Sequence, residues 1–123
     1  ARITAEAGIG AWLYRFDKAA NLPQYKNYGA THAAEMAYMF NTFDNPKSHA
    51  REFHDRNDKN VRSVARDWST TIASFMKFGQ PSVKSIESWP AYNGKEENCL
   101  IIDDDFKVSQ HVDSSHQKLW ASC

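Results

Sequence analysis

The feature that most constrains the fold is an amphipathic segment between Asn57 and Gly79. Apolar residues recur there at steps of three and four, which is the spacing of one helix face. They are Val61, Val64, Ala65, Trp68, Ile72, Phe75 and Met76. Asn57-Asp58 is typical of a helix start, and Gly79 followed by Pro81 is typical of a helix end. The spacing therefore predicts one long helix that must pack on a large apolar surface.

Short apolar stretches on both sides of this helix predict strands. Residues 11–17 are nearly all apolar with aromatic side chains at alternate positions, and residues 99–102 and 106–108 flank an acidic bend. We also expect the end of a helix over 1–7, a short helix from Pro46 to about Asp55, and a terminal helix over 114–120. The length and composition allow one compact unit.

A histidine separates the first predicted strand from the next apolar run. Residues between Asp17 and Tyr28 carry asparagine and proline without periodicity, which is typical of a loop that presents a side chain. His32 ends this loop, and an apolar, helix-forming run follows it to Phe40. A histidine on a loop off a buried strand is a candidate general base. Without further context, such a histidine is more often a packed or capping residue.

Ordered parts of the chain resemble the type B carboxylesterase and cholinesterase family. The family typically has Tyr-Arg-Phe in a strand, Gly-Ala-x-His-Gly-x-Glu at the triad histidine, Phe-Ala-Lys-Thr-Gly-Asp-Pro after a long helix, and Trp-Pro-x-Tyr. The matching residues here are Tyr14-Arg15-Phe16, Gly29-Ala30-Thr31-His32 with Glu35 and Tyr38-Met39-Phe40, residues 75–81, Trp89-Pro90-Ala91-Tyr92, and a late strand at residues 100–103. One departure is Ala33, where the family usually has glycine. It bears on the tightness of the turn, because alanine resists backbone conformations that glycine permits.

The resemblance implies an α/β fold with a mostly parallel central sheet covered by helices. Residues 1–123 would be the C-terminal segment of a single α/β-hydrolase domain. It also implies hydrolysis of a small-molecule carboxylic ester by a Ser-His-Glu/Asp triad through an acyl-enzyme, with His32 as the general base.

The nucleophile is the part of this triad that the sequence lacks. In α/β-hydrolases the serine lies in Gly-x-Ser-x-Gly and precedes both the acid and the histidine. None of the five glycines here flanks such a serine. We therefore expect an upstream segment or a larger companion chain to carry the nucleophile and the acid, and we expect this chain alone to be inactive.

Two other functional classes remain open. A catalytically inert, cholinesterase-like adhesion or scaffold protein would keep this fold and act through protein contacts. The residue at the centre of the missing Gly-x-Ser-x-Gly would distinguish it from an esterase. An independent small interaction domain is disfavoured, because the strand at 11–17 would have unpaired edges and no facing layer.

Charge and motif spacing exclude several partners. The formal net charge is zero and no apolar run is long enough for a membrane span, so we expect neither a nucleic-acid partner nor a membrane span. His49 and His54 lie five residues apart, on different faces of a helix, and residues 103–105 lack the spacing of a calcium loop. We therefore expect no metal and no cofactor.

The remaining charged residues and cysteines favour structural roles. Glu35 is expected in the first turn of a helix, where a carboxylate can accept a hydrogen bond from a backbone N–H group. Arg15 is expected to pair with a carboxylate. Cys99 and Cys123 have no metal-ligand spacing, and a bridge between them stays open. The compartment is open too, although secretion is common in the family that the chain resembles.

Overall fold

The structure, a computed structural model, describes residues 1–112 and 114–115. The elements in chain order are α1 (Arg2–Glu6), β1 (Leu13–Phe16), a first 3₁₀ helix (Pro23–Tyr28), α2 (Met36–Met39), a second 3₁₀ helix (His49–Phe53), α3 (Lys59–Phe78), β2 (Cys99–Ile102) and β3 (Phe106–Ser109). The predicted helix at the start of the chain, the three strands and the long helix are confirmed. The predicted terminal helix over 114–120 lies largely outside the described residues.

The three strands form one mixed sheet in the order β1-β2-β3. β1 and β2 are parallel, with Leu13 opposite Cys99 and Phe16 opposite Ile102. β2 and β3 are antiparallel and are joined by the predicted acidic bend. This small mixed sheet and its helices confirm the α/β class and fit a part of the predicted domain.

One face of the sheet carries the hydrophobic core. Side chains alternate between faces along a strand, and the register brings Tyr14, Phe16, Leu100, Ile102, Phe106 and Val108 to the same face. All six belong to the main apolar cluster or pack against it. On the other face, Arg15 donates to both carboxylate oxygens of Asp17 at 2.7 Å, which confirms the predicted ion pair. Burial of one face and pairing on the other fix the register of β1.

Helix α3 covers the core face of the sheet. The Trp68 ring is fully buried, and its centroid lies 4.8 Å from that of Tyr14. Asp58 caps the helix by accepting a hydrogen bond from the N–H of Asn60 at 2.8 Å, a contact worth about 1 kcal/mol. The helix ends at Gly79, whose φ of 72° no other residue type adopts as readily. Both predicted ends are confirmed.

The last turn of α3 is more exposed than the turns before it. The predicted apolar stripe is buried as far as Trp68 and partly buried at Ile72, but Phe75 is 44% exposed and Met76 is 81% exposed. The described residues therefore cover only part of the stripe that the sequence shows. None of the helices in the described part of the chain is long and apolar enough to span a membrane.

Two predicted helices are shorter than expected. The side chain of Asn45 accepts a hydrogen bond from the N–H of Lys47, and its carbonyl accepts one from the N–H of Ser48, both at 3.0 Å. This local turn replaces the first turn of the helix predicted from Pro46, since an asparagine side chain competes with helical hydrogen bonding. Only a 3₁₀ turn forms, from His49. Likewise, residues 32–35 form a turn, so α2 has four residues.

Candidate active site

The chain leaves β1 at a point that is fixed by backbone and side-chain contacts. The N–H groups of Asp17 and Lys18 both donate to the carbonyl of Ile102, at 2.8 and 3.1 Å. The Lys18 side chain then turns inward and is almost completely buried. Its Nζ donates to Oδ1 of Asp104 at 2.5 Å and to Oδ1 of Asn60 at 2.7 Å. The exit of β1 is thereby joined to the β2–β3 bend and to the first turn of α3.

The loop that follows β1 is closed at its base. After the first 3₁₀ helix the chain returns to its starting point, where the N–H of Ala20 donates to the carbonyl of Gly29 at 3.1 Å. Asn21 joins the base of the loop to the segment that leads into α3. Its Oδ1 accepts a hydrogen bond from the N–H of Asp55 at 2.7 Å, and its Nδ2 donates to Oδ2 of Asp58 at 3.0 Å. Gly29 has a φ of 63°, which allows the reversal. Only two residues then separate this closed base from the histidine.

His32 lies on a tight turn with its side chain exposed. The N–H of Ala34 donates to the carbonyl of Thr31, and the N–H of Met36 donates to the carbonyl of Ala33, both at 3.2 Å. Ala33 has a φ of 63°, so the turn keeps a left-handed conformation although alanine replaces the glycine expected there. That conformation costs a residue with a side chain about 1–2 kcal/mol. The turn is therefore both tight and strained, and it points the imidazole away from the core.

Glu35 occupies the N-cap position of α2, but its side chain does not cap the helix. It was predicted in the first turn of the helix but lies one residue before it, at the N-cap, and its side chain makes no capping hydrogen bond, so the predicted bond to a backbone N–H is wrong. Glu35 instead acts on Tyr14: burial raises the pKa of the Tyr14 hydroxyl, and the Glu35 carboxylate adds to the rise. A four-residue helix has a weak dipole, which removes much of the reason for a cap.

An aromatic cluster packs around α2, the helix that follows the histidine turn. Tyr38 in α2 is fully buried, and its ring centroid lies 5.2 Å from that of Phe16, 4.9 Å from that of Phe43 and 5.0 Å from that of His54. Burial raises the pKa of the Tyr38 hydroxyl, so this group is neutral. Such contacts between rings hold α2 against the sheet.

His54 is the most unusual member of this cluster. It is 2% exposed, and neither ring nitrogen has a hydrogen-bond partner among the described protein atoms. Burial, helped by the nearby charge of Lys18, lowers the pKa of His54 from 6.5 to about 4. The ring is therefore a neutral packing group at neutral pH. Sequence reasoning considered His54 only as a candidate metal ligand, which it rejected, and assigned no role to Lys18, because neither residue belongs to a periodic pattern.

The other histidines and cysteines have environments of their own. His49 is exposed beside Glu52, and Nδ1 of His111 lies 3.0 Å from Glu97. His116 and Cys123 lie outside the described residues, whereas Cys99 is buried in β2. Within residues 1–112 and 114–115, no three His, Cys, Asp or Glu side chains are grouped so that they hold a metal ion.

Several aromatic residues around the sheet and α2 differ in exposure. Trp68 and Tyr38 are fully buried, and Tyr14 and Trp89 are partly buried. Phe40, by contrast, is 61% exposed. It directly follows α2, at the opposite end of that helix from the histidine turn.

A strand, a loop that ends in an exposed histidine, and a long helix over a small mixed sheet together define a part of an α/β-hydrolase. The model of the carboxylesterase family matches residues 1–120. The chain belongs to the carboxylesterase family, as its motifs predicted. In the sequence comparison, no curated protein matched.

Solved esterase structures share this fold. A PNB esterase is 24% identical, with a TM-score of 0.74 over 89% of this chain and 21% of that chain. The carboxylesterase EST55 of Geobacillus stearothermophilus is 21% identical, with a TM-score of 0.74 over 94% and 23% of the two chains. An esterase from Clostridium hathewayi, described as hydrolysing aliphatic aromatic polyesters, is 18% identical, with a TM-score of 0.76 over 96% and 22%. These matches confirm the predicted α/β-hydrolase fold, and the chain spans about a fifth of their length.

Proposed function

We propose that this chain supplies the general base of a serine carboxylesterase and that His32 is that base. Membership of the carboxylesterase family supports ester hydrolysis in general. His32 stands in the family-like motif Gly29-Ala30-Thr31-His32, on an exposed turn after β1. The nucleophilic serine and the acid of the triad belong to another segment or a companion chain, since the printed sequence has no Gly-x-Ser-x-Gly.

The observation that carries the proposal is the strained backbone next to His32. Ala33 is held at a φ of 63° although a residue with a side chain disfavours that region. Strain of this kind persists only where the surroundings enforce it, and it is concentrated at functional sites. Here it lies directly beside an exposed imidazole, on a backbone that two hydrogen bonds fix.

The chemistry assigned to His32 is a pair of proton transfers. One ring nitrogen accepts the proton of the serine hydroxyl as the serine oxygen attacks the ester carbonyl, while the other ring nitrogen donates to the triad carboxylate. His32 then gives that proton to the leaving alcohol as the acyl-enzyme forms. In the second half, His32 accepts a proton from water while the water oxygen attacks the acyl carbonyl, and the proton is then given to the serine oxygen as the acid leaves. Ester and water thus give acid, alcohol and regenerated enzyme.

The test is a histidine substitution in the complete esterase, in which this chain accompanies its Gly-x-Ser-x-Gly segment. With a chromogenic short-chain ester, we expect His32→Gln to lower kcat by about 10⁴-fold or more, because loss of a triad member removes the base. His49→Gln, a change at an exposed histidine outside the site, is the control and should leave kcat unchanged. Ordinary turnover by the His32→Gln enzyme would refute the assignment and favour a non-catalytic role.

A further inference from the structure

Lys18 is a buried cation at the base of the loop that carries His32. Its side chain is 5% exposed, while the carboxylate that it pairs with, Asp104, is 82% exposed. A buried ammonium group is costly unless it is well paired. The two acceptors, on Asp104 and Asn60, come from the β2–β3 bend and from α3. Lys18 therefore joins three parts of the chain at one atom.

We propose that Lys18 is a positioning residue that fixes the location of His32, an inference that rests on the proposed role of His32 as general base. The path between them consists of observed contacts. The backbone of Lys18 is held by Ile102, and its side chain is held by two further residues. Two positions later, the N–H of Ala20 donates to the carbonyl of Gly29, which lies three positions before His32.

This path matters because proton transfer depends on geometry. A displacement of about 1 Å can lower an enzymatic rate by about 10²-fold. The remainder of the loop, through the first 3₁₀ helix, is surface exposed apart from a few side chains. The base of the loop is consequently the part that transmits the position of the sheet to the histidine.

A purely stabilising role makes a different prediction for the same residue. Replacement of a whole buried ion pair by apolar side chains is often neutral for stability, and removal of one partner is costly when the other charge stays buried. In Lys18→Met, Asp104 is left in water rather than as an unpaired buried charge, because its side chain is 82% exposed. The substituted protein should therefore fold, while the loop loses its tie to the bend and to α3.

The experiment compares four variants in the complete esterase, with kcat and KM measured on a chromogenic short-chain ester. We expect Lys18→Met to lower kcat about tenfold with KM within about twofold of wild type, since geometry and not substrate binding is changed. Lys18→Arg keeps the cation and should restore most of kcat. Lys26→Met, at an exposed lysine of the same loop, is the matched control and should resemble wild type. His32→Gln is included as the reference for loss of the base.

Hydrogen exchange of the same proteins separates positioning from general destabilisation. Amides of residues 19–32 should exchange about three times faster or more in Lys18→Met, while those of residues 61–72 in α3 keep the wild-type rate. A kcat like that of wild type, or a lower kcat without faster exchange in the loop, overturns the role of Lys18. If His32→Gln retains turnover, the proposed function itself fails. If His32→Gln is inactive and Lys18→Met is fully active, only the role of Lys18 is wrong.

Discussion

The buried, neutral His54 makes the stability of the protein depend on pH. Its pKa in the folded state is about 4, below the ordinary value of 6.5, because burial disfavours the charged ring. The unfolded chain takes up a proton as the pH falls below about 6.5, while the folded chain does not until about pH 4. The unfolded state therefore binds more protons in this window, and the free energy of unfolding decreases as the pH falls through it.

The size of this effect follows from the two pKa values. Integration of the proton uptake gives a loss of about 2 kcal/mol between pH 7.5 and pH 5 and about 3 kcal/mol by pH 4. Below pH 4 both states are protonated and the contribution of His54 becomes constant. Above about pH 7 both states are neutral and His54 makes no pH-dependent contribution.

A leucine at position 54 should remove this dependence at little cost at neutral pH. Neither ring nitrogen has a hydrogen-bond partner among the described protein atoms, so His54→Leu breaks no bond between described side chains. It loses the edge-to-face contact with Tyr38, worth about 1 kcal/mol. The variant should therefore be slightly less stable than wild type at pH 7.5 and more stable at pH 5.

Urea unfolding at pH 7.5 and pH 5, followed by tryptophan fluorescence, measures both free energies. The control is His49→Leu, because the His49 side chain is 92% exposed and its removal should leave the pH dependence as in wild type. If His54→Leu loses as much stability as wild type between the two pH values, the explanation by a buried neutral ring is refuted. A loss of about 2 kcal/mol or more already at pH 7.5 would show that the ring makes a hydrogen bond, for instance to a buried water.

Two further predictions concern backbone positions, and urea unfolding at neutral pH measures both. Ala33→Gly should stabilise the protein by about 1 kcal/mol, because glycine adopts the φ of 63° without strain. Ala34→Gly is the control and should destabilise the protein by a similar amount. A change of the same sign in both variants would contradict this explanation. Asp58→Ala should cost about 1 kcal/mol, mainly through loss of the bond to the N–H of Asn60, and it also removes the exposed hydrogen bond from the Asn21 side chain. Asp58→Asn keeps a capping oxygen and should cost less than half as much; equal losses would show that the cap is not the cause.

Features that depend on neighbouring residues in sequence were predictable. The ends of α3 are set by the side chain of Asp58 and by the left-handed Gly79, and both signals lie within one turn of the helix end. Strand β2 coincides with the apolar run that predicted it. The position of His32 on a turn after β1 followed from a motif, which is also local.

Features that depend on distant residues were not predictable from the pattern. The partners of Lys18 lie 42 and 86 positions further along the chain, so no window of sequence shows that this lysine is buried. His54 follows a 3₁₀ turn, whose periodicity does not tell buried from exposed positions. At Pro46 the error was local but of another kind, since the side chain of Asn45 closed a turn where a helix cap was expected.

The parallel pairing of β1 with β2 has a consequence for the order in which the protein is made. Leu13 pairs with Cys99, and the chain between them carries the histidine turn and α3. At about 5–20 residues per second, a ribosome takes several seconds or more to deliver β2 after β1 has emerged. During that interval α3 can form by itself from local contacts, but the strand that precedes the histidine loop has no partner in β2. The base of the loop is therefore completed late in synthesis, and a chain stopped before Cys99 would carry His32 without the strand that anchors it.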